Sequence, residues 1–141
     1  MKKDIVAGLG EIGLPIYKII SRNFPVHGYD IDKNLIPNNP KKFECYPIRF
    51  LHICIPYSKF FLPNVLKLNK IFLPESIVIH STIKPKTTQN LQKKLSIPII
   101  YSPTRGVHKR MASDLKRYTK FFALDKKIKN SALMSKNYVN L

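Results

Sequence analysis

The chain is 141 residues long, enough for one domain with a core of its own. An apolar content of 44% excludes a disordered chain. No apolar run approaches the roughly 18 to 20 residues that a membrane span needs. Lys2 and Lys3 precede an apolar stretch, but Asp4 interrupts it, so no signal peptide is expected. Cys45 and Cys54 form neither a disulfide framework nor a C-x-x-C motif, which predicts no metal site and a reducing, cytoplasmic setting.

The formal charge is +17, from 25 Lys and Arg against 8 Asp and Glu. The cations are spread along the chain, thicker after residue 84 but never in a long block. Such a distribution predicts salt-dependent, non-specific attraction to polyanions. Nucleic acid as the main partner is a weaker alternative, supported by charge alone. A basic groove for an anionic small molecule accounts for the same residues.

The elements alternate. Residues 3–8 read as a first strand and 12–22 as a helix, with Ile12, Ile16, Ile19 and Ile20 at helical spacing and Pro15 in the first turn. Residues 25–30 read as a second strand. Residues 31–49, with Pro37, Pro40 and Pro47 among asparagines, predict an irregular surface crossover. A third strand is expected over 50–55, stopped by Pro56, followed by a helix carrying Phe61, Val65, Leu68 and Phe72 on one side. Ser76 to His80 is the fourth strand, 86–95 a helix opened by Pro85, and Ile97 to Tyr101 the fifth strand. After a turn at Ser102 to Gly106 come a short helix from Met111 to Tyr118, a sixth strand from Lys120 to Ala123 and a last helix over 125–137. This order predicts a single α/β domain over 1–141, a Rossmann-type doubly wound parallel sheet with helices on both faces.

Gly8-Leu9-Gly10-Glu11-Ile12-Gly13 fits G-x-G-x-x-G between a strand and a helix, where that pattern has a mechanism. Gly8 allows the tight turn, Gly10 lets backbone approach a pyrophosphate, and Gly13 lets the helix pack close to the strand. The helix N-terminus offers N–H groups and partial positive charge to the phosphates. Asp30 ends the second strand, twenty residues past Gly10, where an acid accepts hydrogen bonds from an adenosine ribose. A carboxylate there repels a 2′-phosphate, so NAD is favoured over NADP, although Lys33 lies close in sequence.

Gly8 to Pro15, with Gly28-Tyr29-Asp30-Ile31-Asp32, resembles the N-terminal domain of the UDP-glucose/GDP-mannose 6-dehydrogenases. His52-Ile53-Cys54-Ile55-Pro56 is similar to that family's strand ending in a Val-Pro turn. His80-Ser81-Thr82-Ile83-Lys84-Pro85-Lys86-Thr87-Thr88 is similar to its Ser-Thr-Val-x-Pro-Gly-Thr-Thr segment, and Tyr101-Ser102-Pro103 to its Ser/Asn-Pro turn. The resemblance implies cofactor contacts from Glu11, Ile12, Ile55, Pro56, Tyr57 and Ser81, with Thr82 near the nicotinamide or its ribose. It also implies an oxidoreductase acting on an alcohol of an anionic, sugar-type substrate.

Two departures bear on catalysis. Thr104 stands where the family has a glutamate, and neither Cys45 nor Cys54 lies in the family's nucleophile context. A non-catalytic or truncated dinucleotide-binding module is therefore the alternative, with a partner domain or a homo-oligomer as the completing surface. Arg105, His108 and Arg110 follow the fifth strand in one basic loop. Arg105 and Arg110 are candidates for holding an anionic substrate, and His108 for taking a proton, against the alternative of a solvated loop. His27, His52 and His80 read as packing residues within strands.

Overall fold

Five parallel strands and one antiparallel strand make a single sheet in the order β2-β1-β3-β4-β5-β6. A computed structural model describes residues 1–106, 108–117 and 119–124. The strands are β1 (Lys3–Ala7), β2 (Val26–Tyr29), β3 (Ile48–Ile53), β4 (Ser76–Ile79), β5 (Ile99–Tyr101) and β6 (Ala123–Leu124). The helices are α1 (Gly13–Ile20), α2 (Phe61–Phe72), α3 (Thr87–Gln92) and α4 (Met111–Arg117). The last helix expected over 125–137 and the His108 side chain lie outside the described residues.

The central strands are buried on both faces, as parallel strands between layers must be. Every residue of β1 is buried, Lys3 and Asp4 included. On one face Ile5, Ala7, Leu51, Ile53, Ile77 and Ile79 lie under Phe61, Val65 and Leu68 of α2 and Leu91 of α3. On the other face Val6 and Val26 lie under Ile16 and Ile20 of α1, with Leu115 of α4 alongside. Phe50, Val78 and Ile100 continue that second face and are packed by Phe122 and Leu124. The chain leaves β1 for β2 at one edge, then returns across β1 to build β3, β4 and β5 on its other side.

Several boundaries differ from expectation, each for a local reason. The crossover between β2 and β3 is irregular, as expected, with two 3-10 turns, Lys33–Leu35 and Lys41–Phe43. It covers edge strand β2 through Asn39, whose side-chain oxygen accepts from Gly28 N–H at 2.9 Å and whose amide donates to the Gly28 carbonyl at 3.0 Å. That contact does for the edge what a further strand would do. β5 starts two residues late because the Gln92 side chain takes over the ladder there. It donates to the Leu95 and Ile97 carbonyls and accepts from Ile99 N–H.

β6 runs antiparallel to β5, pairing Ile100 with Leu124 and Tyr101 with Ala123. The cause lies just before it. Ser102 Oγ donates to the Phe121 carbonyl at 2.9 Å, and Lys120 Nζ donates to the Ser102 carbonyl at 2.9 Å. These bonds fix residues 120 and 121 beside the exit of β5, so the chain can only run back along it.

Candidate functional site

The carboxyl ends of β1, β2, β3, β4 and β5 share one edge of the sheet, because all five strands are parallel. In α/β sheets ligands bind outside that edge, where the strand order changes direction. Here the change falls at β1, and the glycine-rich turn leaves β1.

Each glycine of that turn meets a different constraint. Gly8 has φ +89°, a conformation that costs other residues strain, and a Cβ there would meet the Cys54 and Ile55 backbone at 2.9–3.0 Å. Gly13 opens α1 directly against the Gly8 carbonyl, and a Cβ would collide with that oxygen. Gly10 is exposed, and a Cβ there would meet nothing within 4 Å. The turn is thus tight at Gly8 and Gly13 and open at Gly10. Ile12 caps α1 with no side-chain hydrogen bond, and the first turn carries no acidic residue. Glu11 is exposed and Ile12 half-buried beside it.

Asp30 reaches this turn from the end of β2. Its Oδ2 accepts from Leu9 N–H at 2.6 Å and its Oδ1 from Asp32 N–H at 2.9 Å. A carboxylate has about four acceptor positions, so two remain for a diol.

Ile55, Pro56 and Tyr57 follow β3, and Ser81 and Thr82 follow β4. Ser81 is buried and donates to the Ile55 carbonyl at 2.6 Å, which joins the two segments. Pro56, Tyr57 and Thr82 are exposed on the same edge. The Tyr57 hydroxyl lies 3.5 Å from Thr87 Oγ1 at the start of α3.

Beyond β5, Arg105 lines a cavity of about 250 Å³ together with Asp114, Leu115 and Lys120. Arg110 is exposed on the 3-10 turn His108–Arg110 that precedes α4. The structure therefore brings Arg105 to a cavity wall and leaves Arg110 on the surface.

Lys120 carries no signal in the sequence beyond being one cation among many. Its Nζ donates to the Ser102 carbonyl at 2.9 Å and to Thr104 Oγ1 at 3.3 Å. Burial lowers its pKa to about 8, against a small opposing pull from Cys54. Cys54 itself is pushed up to about 12 by burial. Its sulfur is a neutral thiol at any physiological pH and does not serve as a nucleophile.

His52 and His80 are buried, as packing residues are, but they also face each other across β3 and β4. His52 Nδ1 and His80 Nε2 are 2.9 Å apart and the rings are stacked. On the far side His52 Nε2 lies 3.6 Å from Asp4 Oδ2, an electrostatic contact longer than a hydrogen bond. Asp4 is fully buried and takes a two-pronged pair from Arg49, at 3.0 and 2.8 Å. Burial alone would raise the Asp4 carboxyl, but His52 and Arg49 beside it outweigh that and hold it below its usual value. Which of the two ring nitrogens donates is set by the tautomers of the pair. Burial, then His52, then Lys120 drive the His80 pKa well down, so His80 is neutral. A row of polar groups thus crosses one sheet face, from Arg49 through Asp4, His52 and His80 towards Lys120. Nothing in the sequence marks it, because His52 and His80 lie 28 residues apart and meet only through the pairing of adjacent strands.

Among the described residues no helix is long and apolar enough to cross a membrane, and no cluster of His, Cys, Asp and Glu could hold a metal ion. No protein-family model matches the chain, and no curated protein is similar enough to count as a relative.

Proposed function

We propose that the chain is a Rossmann-type, doubly wound dinucleotide-binding domain that holds NAD at the Gly8–Gly13 turn and serves an alcohol oxidation. The observation that carries this reading is the turn itself. Backbone crowding at Gly8 and Gly13, open space at Gly10 and the Asp30 carboxylate at the same turn are what a pyrophosphate and a ribose require together. A cofactor lying on this turn extends across the carboxyl ends of β3 and β4, over Ile55, Pro56 and Tyr57 and towards Ser81 and Thr82. Arg105 then offers charge to an anionic substrate in the cavity beyond β5.

The oxidation is of the nucleotide-sugar 6-dehydrogenase type in its hydride-transfer step only. A covalent second step through a thiol has no support, since the half-buried Cys54 thiol is pushed up to about 12 and Cys45 precedes β3, at the opposite end of that strand from the glycine turn. Thr104, which accepts from Lys120, brings no carboxylate to the site. These two features favour, as the second reading, a module that binds the dinucleotide without turning over a substrate.

Calorimetric titration with NAD and NADP tests the cofactor reading. NAD is expected to bind more tightly, and Asp30→Asn is expected to narrow the difference by removing the charge that repels a 2′-phosphate. Equal or tighter binding of NADP by the unaltered chain would overturn the preference.

A further inference from the structure

Lys120 sits where three strand ends meet. Its Nζ is bonded to Ser102 and Thr104, which follow β5, and Thr104 N–H in turn donates to the His80 carbonyl just after β4, at 3.2 Å. It is close enough to Cys54, just after β3, for the two to interact electrostatically. Cys54 is also the residue whose backbone lies against Gly8 and whose Cβ lies against Gly13. Lys120 therefore neighbours Cys54, the residue packed against the glycine turn, and lines the cavity that also holds Arg105.

We propose that Lys120 is the proton acceptor of the oxidation, taking the hydroxyl proton of an anionic hydroxy compound that Arg105 anchors in the cavity beyond β5. This inference rests on the cofactor reading given above. In the step, the substrate C–H bond breaks and its electron pair leaves as hydride to NAD⁺. The O–H bond breaks, its proton joins the lone pair of the Lys120 amine, and the C=O bond forms. The products are NADH, a carbonyl compound and the Lys120 ammonium, with atoms and charge conserved.

The hydrogen bonding suits an amine that alternates between two states. A neutral amine has two N–H donors, and the Ser102 carbonyl and Thr104 Oγ1 account for both. The lone pair remains. The groups around it keep the neutral form accessible. His80 from β4 is neutral, Cys54 from β3 is a neutral thiol, and Arg105 across the cavity is a cation. Asp114 of α4 is the carboxylate on the cavity wall. A lysine with a pKa near 8 holds a useful fraction of base near neutral pH, which general-base work needs.

Proton counting by calorimetry tests this without knowledge of the substrate. NAD⁺ and NADH differ by one positive charge on the nicotinamide ring and share the pyrophosphate. If Lys120 faces that ring, NAD⁺ lowers its pKa relative to NADH. A lowering by about one pH unit releases about half a proton more for NAD⁺ than for NADH near pH 7.5. Titrations of the full chain in buffers of different ionisation enthalpy read this number. Lys120→Gln is expected to abolish the difference. So is Lys120→Arg, which keeps a cation and the donors and guards against a folding defect. Binding of both cofactors with equal proton release, or a difference that survives Lys120→Arg, overturns the role of Lys120 and leaves the cofactor reading standing. Absence of any cofactor binding overturns both.

Discussion

Gly8, Gly10 and Gly13 share a motif but not a constraint, so their alanine variants separate structure from function. Gly8→Ala forces a side chain to φ +89° against the β3 exit, and Gly13→Ala drives a methyl into the Gly8 carbonyl. Each is expected to lower stability by about 1–3 kcal/mol or more in urea unfolding. Gly10→Ala enters open space and is expected to stay within about 0.5 kcal/mol of the parent. Equal losses at all three positions would contradict this division. The division was legible in the sequence because the motif's spacing fixes which glycine meets the strand, which stays open and which meets the helix.

Lys120 was not legible, because its environment comes from residues 16 to 66 positions away rather than from its neighbours in the chain. It makes a stability prediction of its own. Its folded pKa, about 8, lies below the ordinary 10.5, so between those values the unfolded chain binds more protons. Stability therefore rises with pH across that window, and the cost of keeping Lys120 charged is fully present below pH 8. The pKa difference corresponds to roughly 3 kcal/mol before relaxation. Lys120→Met is expected to flatten the rise. The general easing of charge repulsion at high pH stays in both proteins and cancels in the comparison. An unchanged rise in the variant would show that Lys120 is solvated.

Strands β1, β3 and β4 were readable as elements, but what joins them on one face was not. Alternation says which side of a strand a residue takes, not which partner stands across from it. His52 and His80 are the case in point. Each reads as one polar residue in an apolar run, and only strand register makes them a pair. The pair makes the sheet sensitive to acid in two windows. His80 has a lowered folded pKa, so the unfolded chain binds more protons as pH falls through 6.5, and stability falls with it. Asp4 also has a lowered folded pKa, so its contribution holds above 3.8 and is lost as pH falls through the folded value. Urea unfolding from pH 7 to pH 5 is expected to show declining stability, and His80→Asn to reduce the decline. A decline beginning only below pH 4 in the parent would mean that His80 protonates freely within the sheet. The edge elements were the least legible. β6 takes its direction from two side-chain contacts at Ser102, and the β2 edge is closed by the Asn39 amide, neither of which a periodic pattern encodes.

At the scale of the whole molecule, a formal charge of +17 sets the solution behaviour. Self-repulsion destabilises the folded chain at low ionic strength. Melting temperature is expected to rise as salt increases from about 0.02 to 0.2 M, one Debye length shrinking from roughly 20 to 7 Å. Retention on a polyanion is expected to fall over the same range. Sequence-selective DNA binding that persists at high salt would instead favour a nucleic-acid role. The parallel order of β1 to β5 gathers five strand ends at one edge, and with them the glycine turn, Asp30, Ser81 and Thr82. That convergence followed from the alternation of elements. The sheet face behind it, with its polar row from Arg49 to His80, did not.

The central claim is that the turn at Gly8–Gly13 holds a dinucleotide, and Gly10→Val tests it most directly. The side chain enters open space in the protein but occupies the place where a pyrophosphate must approach the backbone. Thermal unfolding and NAD calorimetry on the same two samples give the answer. The predicted result is binding of NAD by the parent and none by Gly10→Val, with closely similar melting temperatures. A parent that does not bind NAD, or a folded Gly10→Val that binds it as well as the parent, would contradict the account.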